Sequence, residues 1–185
     1  MSSRVILVTG LQASGKSTVA PMLAKRLGPP AAALDGDVFY TMVKSGNVDM
    51  TPDPDPEALR QLQLRYDASA LVARQYVQAG FDFVCSEIIM GEHLVRWMDQ
   101  VGDVEKHLVV LNPSTESIVA RELGRGSAAY EDWLAAGMDL AASVDSMRAE
   151  LVAMPQRGLW LDTTEMTAEE AVEAILADGL AASKY

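Results

Sequence analysis

The chain has 185 residues, a length that accommodates one compact domain and leaves no room for a second of ordinary size. Hydrophobic residues make up 49% and charged residues 22%, which excludes a disordered or collagen-like chain and predicts a real core. A net charge of −11 opposes binding to a phosphate backbone or an anionic membrane surface, so we expect no nucleic-acid partner.

Cysteine usage and the N-terminus indicate the compartment. The single cysteine, Cys85, cannot form an intrachain disulfide and has no second cysteine with which to hold a structural zinc. The apolar run at residues 5–9 is too short for a signal peptide, and no stretch approaches the roughly 18 apolar residues of a membrane span. We therefore expect a cytoplasmic protein, monomeric or homodimeric, with no membrane contact.

Short apolar runs alternate with longer segments of helical spacing, the pattern of parallel βαβ units in an α/β fold. We predict strands at residues 5–9, 31–34, 81–85, 107–111 and 158–161, each apolar enough to be buried on both faces. We predict helices at residues 16–27, 38–43, 57–79, 91–100, 115–123, 128–154 (with an interruption at Gly137) and 167–177. A glycine-flanked break between helices is expected at residues 124–127. The helix predicted at 57–79 carries one apolar stripe, which we expect to be buried: Leu59, Leu62, Tyr66, Ala70, Ala73 and Val77.

The strongest motif lies between the first predicted strand and the first predicted helix. Residues 10–17, with the sequence GLQASGKS, fit the pattern G-x-x-x-x-G-K-[ST] in every fixed position. In such a loop the backbone N–H groups and the helix N-terminus converge on a polyphosphate, the lysine reaches the β- and γ-phosphates, and the hydroxyl binds Mg²⁺. An accidental glycine-rich turn, the alternative, does not account for the flanking strand and helix. We predict that a nucleoside triphosphate is bound by Gly10, Leu11, Gln12, Ala13, Ser14, Gly15, Lys16, Ser17 and Thr18, with Ser17 on Mg²⁺.

Two aspartates, Asp35 and Asp37, follow the second predicted strand, and ligands of a doubly wound sheet collect beyond the carboxyl ends of its strands. While the strand persists, side chains two residues apart face the same side, so both carboxylates are expected opposite the γ-phosphate. Asp37 is the first candidate for a base that accepts a hydroxyl proton, and Asp35 is its competitor. Asp37 has a compatible alternative role as the cap of the helix at 38–43.

Further candidates follow the later strands. Glu87 is a candidate Mg²⁺ ligand, with a solvated acid in the first turn of the next segment as the alternative. Arg121 and Arg125 flank a glycine hinge, which is typical of a lid, at about residues 121–133, whose guanidinium groups stabilise the transferring phosphoryl group. The alternative is that each arginine complements a helix C-terminus. Thr163 is expected at the edge of the adenine, or as a polar spacer in a plain turn.

Together these residues resemble the small P-loop kinases, which include adenylate, shikimate, gluconate and adenylylsulfate kinases. GLQASGKSTVA followed by LDGD is similar to the gluconate and adenylylsulfate kinases, and the layout resembles the chloramphenicol phosphotransferase-like antibiotic kinases. The resemblance implies a three-layer αβα sandwich with a five-stranded parallel sheet of order 2-3-1-4-5, an acid after strand two that acts as base or substrate anchor, and lid arginines that touch phosphate. Carried onto this chain, it marks Lys16, Ser17, Asp37 or Asp35, and Arg121 or Arg125.

The chain departs from two of these kinases after LDGD. Residues 48–56 replace the Asp-Arg and Pro-Trp pairs expected of gluconate kinases, and the nearest arginines, Arg60 and Arg65, lie on a predicted helix. We therefore expect a Mg²⁺-dependent ATP phosphotransferase acting on a hydroxyl of a small neutral or cationic molecule, with antibiotics among the candidates and residues 38–79 on the substrate side. The alternatives are a gluconate-like sugar kinase, a polynucleotide 5′-hydroxyl kinase and a non-catalytic nucleotide switch, although the N-K-x-D sequence of a GTPase is absent.

Overall fold

The sheet has five strands in the order β2-β3-β1-β4-β5, and every neighbouring pair is parallel. The computed structural model describes residues 3–125, 130, 134 and 137–185. The strands are β1 (Arg4–Gly10), β2 (Ala31–Asp35), β3 (Asp82–Ser86), β4 (Glu105–Leu111) and β5 (Leu159–Leu161). This topology confirms the α/β fold class and the strand order that the resemblance implies.

Within the described residues, seven α-helices connect or flank the strands. They are α1 (Lys16–Leu27), α2 (Asp37–Met42), α3 (Pro56–Gln78), α4 (Gly91–Gln100), α5 (Thr115–Arg125), α6 (Leu140–Val152) and α7 (Ala168–Leu176), and a 3₁₀ turn follows at Ala181–Ser183. The bounds of α1 and α4 coincide with the predicted ones. None of the described helices combines the length and the apolar character needed to cross a membrane.

The central strand β1 divides the core into two layers. Val5 and Leu7 pack in the layer that contains α3 and α4, whereas Ile6 and Val8 pack in the layer that contains α1 and α7. All four side chains are fully buried, as the period-two alternation of a strand covered on both faces requires. Cys85 lies in the first of these layers and has no exposed surface.

The prediction that every strand is buried on both faces is wrong for β2. Ala33 and Asp35 on this strand are exposed, because β2 pairs only with β3 and forms one edge of the sheet. The strands with two neighbours, β1, β3 and β4, are buried after their first one or two residues, and the other edge strand, β5, is half-buried. The carboxyl end of β2 is therefore more exposed than those of the inner strands.

Three helix predictions also need correction. Leu59 on α3 is 44% exposed while its neighbour Ala58 is buried, so the buried stripe starts one residue earlier than expected. The break expected at residues 124–127 is wrong at its first residue, because α5 continues through Gly124 to Arg125; residues 126 and 127 lie outside the described residues. Of the helix predicted at 128–154, the part from Leu140 to Val152 is confirmed, whereas residues 137–139 and 153–154 are not helical.

The start of that helix has a local cause. Gly137, the predicted interruption, has a φ of 87°, which is left-handed backbone that a helix cannot contain. Asp139 then caps α6 by accepting a hydrogen bond from the Ala142 N–H at 2.7 Å. A capping box starts α7, with reciprocal hydrogen bonds between Thr167 and Glu170.

Candidate active site

The P-loop joins the carboxyl end of β1 to the N-terminus of α1. A Cβ atom on Gly10 would lie 2.3 Å from the Leu111 carbonyl oxygen, so only glycine fits where the loop passes β4. Gly15, with a φ of 103°, stands at the N-cap of α1 and offers no side-chain cap. The first N–H groups of α1 are therefore available to an anion, as a phosphate cradle requires.

Lys16, the first residue of α1, is buried against the P-loop. Its side chain is 8% exposed, and Nζ donates a hydrogen bond to the Leu11 carbonyl at 2.8 Å. Burial lowers the pKa of Lys16 to about 8, although the nearby carboxylates of Glu87, Asp37 and Asp35 raise it. A bound polyphosphate would add negative charge at this point and favour the protonated lysine.

The acid turn, which we define as Asp35, Gly36 and Asp37, links β2 to α2. The prediction that both aspartates lie on one strand face is wrong, because β2 ends at Asp35 and Asp37 is already the first residue of α2. The proposed capping role of Asp37 is also wrong: Asp35 Oδ1 instead accepts the Asp37 N–H at 3.2 Å. Both carboxylates nevertheless line the same cavity as Lys16.

The Glu87 carboxylate packs against the acid turn at Gly36. The turn is fixed to β3 by a hydrogen bond from the Gly36 N–H to the Ser86 carbonyl at 2.8 Å. A Cβ on Gly36 would lie 1.6 Å from Glu87 Oε2, so the absence of a side chain at Gly36 is what admits the carboxylate. Glu87 is 3% exposed, which rules out the alternative of a solvated acid, and burial raises its pKa.

Arg65 is a site residue whose place the sequence did not reveal. It extends from α3 so that Nη2 lies 3.3 Å from Glu87 Oε1, and its guanidinium carbon is 5.3 Å from the centroid of the Tyr40 ring. Arg60, by contrast, is on the exposed side of α3 and pairs with Glu57. The sequence feature that could have indicated a site role for Arg65 is its position directly before Tyr66, which belongs to the predicted buried stripe of this helix.

Arg121 ties the P-loop to the segment after β5. Its guanidinium donates to the carbonyl of Thr163 at 2.8 Å and to that of Ser14 at 3.4 Å, rather than to the end of its own helix. Thr163 and Ser14 are themselves buried, and their hydroxyl oxygens have no hydrogen-bond partner within the described residues. Arg125, one turn later, lines the cavity, and its positive charge is among the influences that lower the pKa of Lys16.

A cavity of about 1140 Å³ brings most of the predicted residues together. Of the predicted site, the following residues line it: Gln12, Ala13, Gly15, Lys16, Ser17, Asp35, Asp37, Glu87 and Arg125. Gly10, Leu11, Ser14, Thr18, Arg121 and Thr163 do not line it and support its walls or lie beside it. The predicted lid at 121–133 is described only in part, since residues 126–129 and 131–133 lie outside the described residues.

The protein oxygens at this site suit a Mg²⁺ ion that takes most of its ligands from the nucleotide phosphates and from water. No group of three or more His, Cys, Asp or Glu side chains in the described ranges could hold a metal ion alone. Mg²⁺ in phosphoryl-transfer sites is usually bound by one or two protein oxygens together with substrate phosphates. Ser17, exposed at the start of α1, and the unpartnered buried oxygen Oε2 of Glu87 fit that requirement.

Comparison with solved structures finds kinases that have the same fold as this chain. An APS kinase from Mycobacterium tuberculosis, solved with AMPPNP and APS, is 18% identical over 95% of this chain and 96% of its own, with a TM-score of 0.69. A sugar kinase from Janibacter (18% identity, 99% of both chains, TM-score 0.64) and a Deinococcus radiodurans tunicamycin resistance protein (18%, 99% of both, 0.65) are also similar. These identities establish the fold alone.

A search of curated proteins finds no match to the chain. Residues 5–143, which carry the P-loop, the acid turn, Glu87 and Arg121, match the AAA domain family. This match extends over most of the sequence and agrees with the strand order, the phosphate loop and the structural neighbours. The chain therefore belongs to the AAA domain family and has the P-loop kinase fold.

Proposed function

We propose that the protein is a Mg²⁺-dependent phosphotransferase that moves the γ-phosphate of ATP to a hydroxyl group of a small molecule. The observation that carries this proposal is the single cavity that joins the P-loop to the acid turn and then continues between α2 and α3. A protein that only binds or hydrolyses a nucleotide needs no second space beyond the phosphates. Here that space begins at two carboxylates, those of Asp35 and Asp37, which can orient a hydroxyl group.

In the proposed step, the acceptor hydroxyl oxygen forms a bond to the γ-phosphorus while the bond from that phosphorus to the β,γ-bridging oxygen breaks. The electron pair of the broken bond leaves with ADP, and the hydroxyl proton passes to the Asp37 carboxylate or to that of Asp35. The products are a phosphate monoester, ADP and a proton. Because the transition state of such a transfer is loose, orientation of the hydroxyl by the carboxylate matters as much as proton removal.

Each remaining site residue has a role that follows from its position. Lys16 neutralises charge on the β- and γ-phosphates, and Arg125, which lines the same cavity, stabilises charge on the transferred phosphoryl group. Arg121 holds the P-loop and the Thr163 segment in register around the nucleotide. Bound Mg²⁺, with Ser17 and Glu87 as its proposed protein ligands, would neutralise charge on the phosphate oxygens.

A gluconate-like sugar kinase is the second candidate, because the fold is similar to that of a sugar kinase. The two candidates share the phosphate site and differ in the acceptor. The test is transfer of radiolabelled phosphate from ATP to a panel of hydroxylated antibiotics, sugars and nucleosides. We expect Lys16→Ala to abolish transfer and Asp37→Asn to lower it by at least about a hundredfold.

Asp35→Asn is the matched variant for the choice of base, since both carboxylates belong to one turn. Full activity of Asp37→Asn with loss of activity in Asp35→Asn would move the base to Asp35. ATP hydrolysis that no acceptor in the panel stimulates would contradict the phosphotransferase and favour a nucleotide switch. Circular dichroism of each variant, compared with that of the wild type, serves as the control for an intact fold.

A further inference from the structure

The acceptor half of the cavity, which lies between α2, the loop at residues 43–55 and α3, has a largely apolar wall. Six of the side chains that form it are Phe39, Met42, Val48, Met50, Leu62 and Leu64. Leu64 is 57% exposed. Apolar surface that faces a cavity gains about 25 cal/mol for each Å² that a ligand covers.

Three uncharged polar side chains of the same wall, those of Tyr40, Asn47 and Gln61, use their donors within the protein. Tyr40 donates its hydroxyl hydrogen to Asp49, and the Asn47 amide donates to the Asp49 carboxylate at 2.7 Å and to the Tyr40 oxygen at 3.2 Å. The Gln61 amide donates to the Gly46 carbonyl at 2.8 Å. A polyhydroxylated or carboxylated ligand, which needs several donors to replace its water, finds few of them here.

The charges of this region disfavour an anion. Arg65, the cation nearest the acid turn on α3, is paired with buried Glu87 and lies over the Tyr40 ring. The carboxylates of Asp35 and Asp37 face the same space. A carboxylate, sulfate or phosphate on the acceptor would therefore meet like charge from Asp35 and Asp37.

We infer that the acceptor is a compound without an anionic group whose hydroxyl group is carried on a mainly apolar body, and not a sugar acid or a nucleotide. This inference rests on the proposed function, since it assigns the acceptor of that reaction. The hydroxyl lies at the acid turn, where only hydrogen-bond acceptors are offered, and the apolar body lies along Leu62 and Leu64. An acceptor of this kind needs neither a free cation nor unused donors.

Binding of N-phenyl-1-naphthylamine, an uncharged fluorescent probe without a phosphate acceptor group, tests the apolar wall independently of catalysis. We expect saturable binding that Leu64→Lys weakens about tenfold, because the new ammonium group lies in the wall. Leu71→Lys is the matched control: Leu71 lies two turns further along α3, is 59% exposed and does not line the cavity. We expect it to leave the affinity unchanged.

Competition then separates the acceptor classes. Octyl β-D-glucoside, used below its micellar concentration, should displace the probe, whereas methyl β-D-glucoside, gluconate and AMP should not. Absence of saturable probe binding, an equal effect of Leu64→Lys and Leu71→Lys, or displacement by gluconate would each overturn the inference. Failure of phosphate transfer to every acceptor, with the probe results as expected, would refute the proposed function and leave the character of this wall as inferred.

Discussion

A single methyl group added at Gly36 tests the packing of the acid turn against Glu87. Gly36 has a φ of −62° and a ψ of −21°, which alanine adopts without strain, so the only obstacle to Gly36→Ala is steric. The new Cβ would lie 1.6 Å from Glu87 Oε2 and 2.3 Å from the carboxyl carbon. Either the carboxylate leaves its place beside Arg65 or the turn moves away from β3.

Both outcomes lower the free energy of unfolding. Overpacking of a filled site costs about 1–3 kcal/mol, and separation of a buried ion pair costs about 3–5 kcal/mol before the displaced groups regain water. Because Glu87 borders the cavity and can turn toward solvent there, we expect a loss of about 2 kcal/mol. For a chain of this size, that loss lowers the melting temperature by about 4–8 °C.

Thermal unfolding of four proteins measures this contact: the wild type, Gly36→Ala, Glu87→Ala and the double variant. We expect the double variant to lose less than the sum of the single losses, because removal of the carboxylate makes room for the methyl group. Gly124→Ala is the matched control, since Gly124 is within α5 and its Cβ would meet nothing within 4 Å. It should stabilise the protein by about 0.5–1 kcal/mol. A wild-type melting temperature for Gly36→Ala, with additive losses in the cycle, would refute the reasoning.

Three other predictions follow from buried polar contacts. Burial lowers the pKa of Lys16 from 10.5 to about 8, so between these values the unfolded chain binds more protons. The free energy of unfolding without nucleotide should therefore rise with pH across this window relative to Lys16→Met in urea titrations; parallel profiles would contradict this. Arg121→Ala should weaken ATP binding about tenfold in calorimetry, because the P-loop loses the hydrogen bond from Arg121 to the Ser14 carbonyl. Arg26→Ala, which removes an exposed ion pair with Glu173, should leave ATP binding unchanged. Ser69→Ala should cost about 2 kcal/mol by leaving the buried Trp97 N–H, now 2.9 Å from Ser69 Oγ, without an acceptor, and a loss under about 0.5 kcal/mol in fluorescence-monitored unfolding would show that it finds another.

The amino-acid sequence by itself determined the features that depend on neighbouring residues. The bounds of α1, the capping box of Thr167 and Glu170, and the interruption at Gly137 all follow from backbone and cap preferences within a few positions. The P-loop was recognisable because its glycines, lysine and serine act through a single continuous segment. The strand positions followed from apolar runs, and their order came from the family that those motifs resemble.

The tertiary structure decided what depends on contacts between distant segments. Glu87 and Arg65 are 22 residues apart, and no local pattern distinguishes this buried pair from a solvated acid and an exposed arginine. The exposure of β2 depends on its having one neighbour, which is a property of the sheet and not of the strand. The acceptor wall is likewise assembled from α2, a loop and α3, whose side chains meet only after the chain has folded. Sequence periodicity reports which face of an element is apolar, whereas the partner of that face, and hence the chemistry of the cavity, is set by long-range packing.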